Sequence, residues 1–170
     1  MSAPGPLRFD PIEEARRQWV IHGWERASGG VALIASVMRV QQIYLAQVDK
    51  VLRPLNLSLA RFEILSVLSF SRGGSLPMNK ISVRLQVHPT STTSATDRLE
   101  AQGFVRRLPH ESDRRTILVE ILPAGRRILN KVTKALNEKV FAEPGLSAAD
   151  AEKFIELMRK IRFAEGDFEI

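Results

Sequence analysis

The stretch that decides the fold runs from His88 to Ile121 and reads HPTSTTSATDRLEAQGFVRRLPHESDRRTILVEI. Within it Leu99, Ala95 or Thr96, and Thr92 recur at three- and four-residue steps, which is the spacing of one face of a helix. The two threonines are close to valine in shape, so their methyl groups can pack inward. The spacing therefore predicts a helix with an apolar inner face.

The ends of this helix follow from its flanking residues. Pro89 suits the first helical turn, because its missing N–H needs no partner there. His88 is a possible cap, although histidine is not a preferred capping residue. Gly103 ends the helix. We call the predicted helix between Pro89 and Gly103 the reading helix. Its outer face carries short hydrogen-bonding side chains and one arginine, as major-groove reading requires: Thr90, Ser91, Ser94 and Arg98.

Two strand-like runs follow the glycine, Phe104–Leu108 and Thr116–Ile121, and a charged tip of hairpin length, Glu111–Arg115, separates them. Within the tip, Asp113 can fix the side chain of Arg115 by a charge-assisted hydrogen bond. An arginine held in this way can enter a narrow, negative minor groove. Helix, stop and hairpin is the order of a winged helix-turn-helix, and we call the hairpin the wing.

Composition limits the class of protein. A chain of 170 residues with 44% apolar residues can fold as one domain with helical arms. The absence of cysteine excludes disulfides and thiolate metal sites. The N-terminus shows no signal-peptide core, and the apolar run Val31–Met38 is shorter than a bilayer span, so we expect a cytoplasmic protein without a membrane segment.

The positive charge is concentrated around the reading helix. The chain carries a net charge of +6, and residues 60–127 hold eleven Lys or Arg and six Asp or Glu, which places +5 in that span. This distribution is typical of a phosphate-binding surface. A solvated charged surface is the alternative explanation, so charge alone does not decide the function.

The N-terminal part predicts two helices. Asp10 and Pro11 indicate a helix start, and the helix extends to about Trp19–His22. The segment Ala27–Gly30 is predicted to interrupt the helical structure. A second helix should then run to Pro54. Its apolar seam alternates steps of three and four residues: Val31, Ile34, Met38, Gln41, Leu45, Val48 and Leu52.

Further helices are predicted on both sides of the reading module. Their expected starts are Ser58, Asn79, Pro123 and Ser147. The terminal helices have apolar faces that one chain does not cover, which favours a dimer. We therefore divide the chain into N-terminal dimerisation helices (1–54), a winged DNA-binding module (55–122) and C-terminal dimerisation helices (123–170).

With these features together, the chain resembles the MarR family of bacterial transcription regulators over about Val31 to Ile161. The resemblance rests on the helix order and on the segments Asp97–Val105, Asp113–Arg115 and Pro123–Arg126. The stretch RLQVHPTS resembles the actinobacterial branch.

The resemblance implies a mainly α fold with a small β-hairpin wing, and a homodimer with two winged modules on a pseudopalindromic duplex. It also implies repression relieved by a small ligand, often aromatic or phenolic, held between the dimer helices and the reading module. On the family pattern Arg115 enters the minor groove and Asp113 orients it.

The chain departs from the family pattern at two positions. Many members carry an arginine near Ser94, whereas the outer face here has no long bidentate reader of guanine at that place. Leu122 stands where relatives have a capping threonine, at a cost on the order of 1 kcal/mol. The complete set of expected DNA-contacting residues is Lys80, Arg84, Pro89, Thr90, Ser91, Thr93, Ser94, Arg98, Asp113, Arg114 and Arg115.

A ligand pocket is a further prediction, and its alternative is that aromatic and methionine residues at helical spacing belong to a core or interface, as they more often do. The pocket candidates are Trp19, Trp24, Met38, Arg39, Tyr44 and Phe62. The three histidines are scattered, so neither a metal site nor a cofactor is expected. No catalytic motif supports an enzyme. The remaining alternative is a winged-helix architectural or protein-interaction module with weak sequence preference.

Overall fold

The computed structural model describes residue 5 and residues 7–109 and 116–169. In this part of the chain the structure is mainly helical with one small antiparallel sheet, which confirms the predicted fold class. The helices are α1 (Pro11–Ile21), α2 (Glu25–Leu52), α3 (Leu59–Phe70), α4 (Met78–Leu85), α5 (Pro89–Ala101), α6 (Pro123–Leu136) and α7 (Ala148–Ala164), and the strands are β1 (Ser75–Pro77), β2 (Val105–Pro109) and β3 (Ile117–Ile121). The chain divides into two compact units, residues 1–63 and 64–170.

Helix α1 begins where the sequence predicts. The Asp10 carboxylate accepts hydrogen bonds from the backbone N–H groups of Ile12, at 2.8 Å, and Glu13, at 3.5 Å. The helix ends at Ile21. These bonds satisfy N–H groups that the first turn of a helix leaves without intrahelical partners.

The predicted break at Ala27–Gly30 is wrong, because α2 runs through this segment without interruption. A glycine costs a helix only about 1 kcal/mol relative to alanine. Two glycines are therefore tolerated within a 28-residue helix that packs along α1. Ser28, which directly precedes the two glycines, is buried.

The seam of α2 is buried only at its C-terminal end. Val48 and Leu52 are buried, whereas Ile34, Met38 and Leu45 are exposed. The segment Glu25–Leu55 is also long and apolar enough, by length and composition alone, to cross a membrane. The run Val31–Met38 is itself too short for a bilayer, as expected, but it lies within this longer helix. Uncovered apolar residues on a helix of this length equally suit packing against a second helix.

In the second unit the predicted cap at Asn79 is wrong. The capping position lies two residues earlier, at Pro77, which forms no side-chain hydrogen bond, and α4 begins at Met78. Asn79 lies inside the first turn and is exposed. The preceding strand, β1, was not predicted either. It is three residues long, so the sequence offers no alternation from which to recognise it.

The sheet has the order β1-β3-β2, and both pairings are antiparallel. Leu76 lies opposite Val119, and Val105 lies opposite Ile121. These four residues are buried and form the inner face of the sheet. The observed strands β2 and β3 confirm the two predicted runs to within one residue.

Two glycines shape the connections around the reading helix. At the end of α5, Gly103 adopts φ +70°, and the N–H groups of Gly103 and Phe104 donate to the carbonyls of Glu100 and Leu99, both at 2.9 Å. This is the glycine-terminated helix end that the sequence predicts. Gly125, in the first turn of α6, lies so close to Phe104 that an added Cβ would overlap its carbonyl oxygen.

Helix α6 continues as a short π-helical turn, Asn137–Phe141, at which the helical structure ends. Its buried residues include Leu129, Val132 and Leu136. Helix α7 is capped by Ser147, as predicted, whose hydroxyl accepts from the N–H of Asp150 at 3.2 Å. No residue of α7 is buried in the described chain.

Candidate nucleic-acid interface

Helix α5 is the predicted reading helix, and its first turn is fixed by two residues. Pro89 occupies the first position, and the side chain of His88 caps the helix by accepting from the N–H of Thr90 at 3.3 Å. The Thr93 hydroxyl donates to the Pro89 carbonyl at 3.0 Å. Local hydrogen bonds therefore stabilise the N-terminal end of α5.

The inner face of α5 is the one that the spacing predicts. Thr92, Thr96 and Leu99 are essentially inaccessible to solvent. Their methyl groups pack, and their hydroxyls are satisfied: Thr96 donates to the Thr92 carbonyl at 2.8 Å, and Ser82 of α4 donates to the Thr92 hydroxyl at 3.0 Å. The last bond joins the two helices of the helix-turn-helix.

The outer face of α5 is open. The predicted contact residues on it are all exposed: Pro89, Thr90, Ser91, Thr93, Ser94 and Arg98. Apart from Arg98, none of them is charged. The face therefore offers hydroxyl donors and acceptors and threonine methyl groups. At Ser94 it has no long side chain that could donate two hydrogen bonds to one base.

The predicted cations of α4 lie one helical turn apart. Lys80 and Arg84 are both exposed and line a small cleft with Asn79 and Val83. In the described part of the chain, neither residue forms an ion pair. Their charges are therefore available to an anionic partner.

The two arginines of β2 point in opposite directions and pair with different carboxylates. Arg106 points outward and pairs across the sheet with Glu120, at 2.5 Å, and this bond raises the pKa of the arginine. Arg107 points inward and pairs with two carboxylates of α5, Asp97 at 2.7 Å and Glu100 at 2.5 Å. Sequence reasoning counted both residues as free positive charge. The seven-residue separation of Glu100 and Arg107 across a turn was the signal that was available.

The tip of the wing lies outside the described residues. This concerns His110–Arg115, which include three predicted contact residues, Asp113, Arg114 and Arg115. Their roles stay predictions. The strands that carry the tip are described, and β3 begins at Ile117.

Neither of the two described clefts of the first unit is lined by all six pocket candidates. Trp19 and Trp24 pack edge to face with ring centroids 5.4 Å apart, and His22 stacks on Trp24. Met38 and Arg39 instead line an open cleft of about 790 Å³ with residues that precede α1, among them Leu7 and Phe9. Tyr44 and Phe62 are half-buried and line neither of these features.

A second cleft, of about 570 Å³, was not predicted. It lies within the winged module between α4, the start of α5 and the start of β3. Its walls are mostly apolar and include Met78, Val87 and Ile117. In the described residues no three His, Asp or Glu side chains are grouped closely enough to hold a metal ion.

The geometry of α4, α5 and the β2–β3 hairpin defines a winged helix-turn-helix protein. Comparisons with known proteins agree. The sequence model of the MarR family matches residues 57–117. The chain is 39% identical to Sco5413, a MarR family transcriptional regulator from Streptomyces coelicolor, over 84% of this chain and 99% of that chain, with a TM-score of 0.76. The chain therefore belongs to the MarR family and is a non-enzymatic, DNA-binding transcriptional regulator.

Two further relatives are informative. The transcriptional regulator PecS of Dickeya dadantii is 28% identical over 129 residues, which cover 75% of this chain and 77% of PecS. A mutant of MarR from Escherichia coli in complex with operator DNA is 23% identical, with 79% of this chain and 96% of that chain covered and a TM-score of 0.72. The second likeness shows the shared fold.

Proposed function

We propose that this chain is a homodimeric, sequence-specific transcriptional repressor whose reading helices enter two major grooves of a pseudopalindromic operator. In this proposal each wing enters a minor groove through Arg115, which Asp113 orients, and Arg114 lies beside it. The protein acts in the cytoplasm. A small aromatic or anionic ligand modulates its affinity for DNA.

The observation that carries this proposal is the sidedness of α5. Thr92, Thr96 and Leu99 are buried, whereas Ser91 and Ser94 are exposed on the opposite face. A helix fixed on one side by its core and open on the other is what insertion into a major groove requires. Hydroxyls and methyl groups on the open face favour short base contacts and thymine methyl contacts.

Phosphate contacts fall to the cations around this face. Arg98 on α5 and Lys80 and Arg84 on α4 are exposed and form no ion pair with a described residue. Contacts of this kind position a protein on the duplex without reading its sequence. Because short side chains discriminate weakly, DNA shape is expected to contribute to specificity.

The proposed dimer would cover apolar surface on the terminal helices. Ile34 and Met38 of α2 are more than half exposed, and so are Ile155 and Leu157 of α7. Exposed apolar residues in contiguous patches mark interaction sites. This supports the division of the chain into dimerisation helices at residues 1–54 and 123–170 and a DNA-binding module at residues 55–122.

Ligand control is supported by analogy within the fold. BpsR of Bordetella bronchiseptica, whose DNA binding is regulated by 6-hydroxynicotinic acid, has the same fold at 20% identity and a TM-score of 0.68. In this chain Arg39 and Met38 border a cleft that offers one cation beside apolar surface and the Asp10 carboxylate, which caps α1. The remaining candidates are Trp19, Trp24, Tyr44 and Phe62. A thermal-shift screen with aromatic acids, followed by DNA binding with the hits, tests this part of the proposal.

The DNA-reading proposal is tested by selecting duplexes from a random pool with the purified protein. We expect an enriched pseudopalindrome with half-sites about one helical turn, ~10 bp, apart. A pool without an enriched motif would favour the architectural or protein-interaction alternative, which the absence of a long side chain near Ser94 supports.

Single-charge variants then locate the contacts on the enriched duplex. Arg98→Ala and Arg115→Ala should weaken binding, and loss of one phosphate contact should lower the slope of log affinity against log salt by about one. Lys131→Ala removes the same charge from an exposed position on α6 and serves as the control. Equal behaviour of all three variants would contradict the proposed interface.

A further inference from the structure

Arg107 joins the wing to the reading helix through several bonds at once. Its guanidinium pairs with Asp97 at 2.7 Å and with Glu100 at 2.5 Å, and it donates to the Thr93 carbonyl at 3.5 Å. Its backbone N–H donates to the second oxygen of the Glu100 carboxylate at 2.9 Å. One residue of β2 thus contacts three residues of α5 that lie about one helical turn apart.

This side chain is sheltered compared with its neighbour. The side chain of Arg107 is 22% exposed, whereas that of Arg106 is 55% exposed. Arg107 lies on the same face of the sheet as the buried Val105, directed at α5. Its donors are therefore turned to the protein and away from an external phosphate.

The spacing of the partners explains why arginine suits this position. Asp97 and Glu100 are three residues apart, so their side chains lie on one side of α5. The planar fork of arginine can donate to both carboxylates from fixed angles, which a lysine ammonium does not reproduce. An arginine bonded to both carboxylates fixes the orientation of β2 relative to α5 as well as the distance between them.

We propose that Arg107 is a positioning residue that sets the angle between the reading helix and the wing, and so controls sequence discrimination without touching DNA. The inference rests on the proposed function, because it concerns how α5 and the wing reach two grooves together. Asp97 directly precedes Arg98 and lies three residues after Ser94 on α5. Arg107 therefore also neutralises two carboxylates beside the proposed contact face.

The test uses the full-length protein and two duplexes, the one enriched from the random pool and a scrambled one of equal length. Arg107→Gln removes the charge and most of the fork, and Arg107→Lys keeps the charge without the fork. We expect both to lose about tenfold in affinity for the enriched duplex, or about 1.4 kcal/mol, with much less change on the scrambled duplex. A role in folding alone would lower binding to both duplexes equally.

The salt dependence separates positioning from phosphate contact. For Arg107→Lys the slope of log affinity against log salt should equal that of the wild type, whereas Arg98→Ala should lower it by about one. A lowered slope for Arg107→Lys, or an unchanged ratio of affinities for the two duplexes, would overturn the inference.

A double-mutant cycle identifies the partners. If Arg107 acts through Asp97, then Asp97→Asn should have a different effect in the Arg107→Gln background than in the wild type. In that background it removes an unpaired carboxylate next to DNA, so affinity should rise. Additive effects would contradict the inference. If Arg107→Gln fails to fold, Asp97→Asn with Glu100→Gln, which keeps Arg107, must reproduce the loss of discrimination.

The result also distinguishes this inference from the proposed function. If the wild-type protein enriches no duplex, sequence-specific reading itself is wrong. If the wild type enriches a motif and the Arg107 variants bind it as the wild type does, only the positioning role is wrong.

Discussion

The buried hydrogen bond between Ser82 and Thr92 gives a quantitative test of how the two helices of the helix-turn-helix are held together. Thr92→Val keeps the shape of the side chain, so it opens no cavity, but it removes the partner of the Ser82 hydroxyl. That hydroxyl would keep only its longer bond to the Met78 carbonyl, at 3.4 Å. Leaving a buried hydroxyl poorly satisfied costs about 1–3 kcal/mol, and the remaining bond places the expected loss near the lower end.

For a chain of this length a loss of about 1.5 kcal/mol should lower Tm by roughly 3–6 °C. Differential scanning calorimetry at fixed protein concentration measures this, because the Tm of the proposed dimer would depend on concentration. Ser82→Ala in the Thr92→Val background removes the orphaned hydroxyl as well, so the double variant should be more stable than the sum of the single losses predicts. Strictly additive losses, or an unchanged Tm for Thr92→Val, would refute the reasoning.

Substitutions at three further positions test other features of the fold, each read out as Tm. Gly103→Ala places a Cβ at φ +70° in open space and should cost about 1 kcal/mol, whereas Gly103→Asn should cost less, because asparagine tolerates this conformation; equal losses would contradict a conformational cause. Gly125→Ala forces a Cβ against the Phe104 carbonyl and should cost about 1–3 kcal/mol or more; a neutral result would mean that the turn has room. Burial raises the pKa of Glu63 above its usual value of 4.5. The contribution of this carboxyl to folding stability is therefore fully present below pH 4.5 and is lost as pH rises through the raised pKa. Glu63→Gln should therefore raise Tm at neutral pH and change it little below pH 4.5, and the opposite pattern would exclude desolvation as the cause.

The reading helix could be predicted from sequence because its signals are local. The spacing of Thr92, Thr96 and Leu99 defines the buried face, and Pro89 and Gly103 mark the two ends. Periodicity and capping act within one or two turns, so they are visible without knowledge of the tertiary structure. The same holds for Asp10 and Ser147, both of which accept the predicted capping hydrogen bonds.

The features that were missed depend on contacts between distant residues. The glycines near Ser28 weaken a helix locally, but α2 is long and packs along α1, and this outweighs the local preference. Strand β1 exists because Leu76 pairs with Val119, which lies on a strand that is distant in sequence. Asn79 has the right side chain for a cap, yet the chain enters α4 directly from the β1 pairing, and the capping position falls two residues earlier, at Pro77.

The largest revision concerns the charge of the module. Counting residues gives the span 60–127 a net charge of +5, but the two arginines of β2 are held by Glu120, Asp97 and Glu100. Because paired arginines release no counterions from DNA, the salt dependence of binding should reflect at most nine of the eleven cations in that span. On the proposed interface, the affinity that remains would come from the exposed cations, from the wing and from the fit of hydroxyls against base edges. Such a fit is sensitive to small rotations of the reading helix. Discrimination in this protein should therefore depend more on how rigidly α5 is held, by Arg107 on one side and Ser82 on the other, than on the strength of any single base contact.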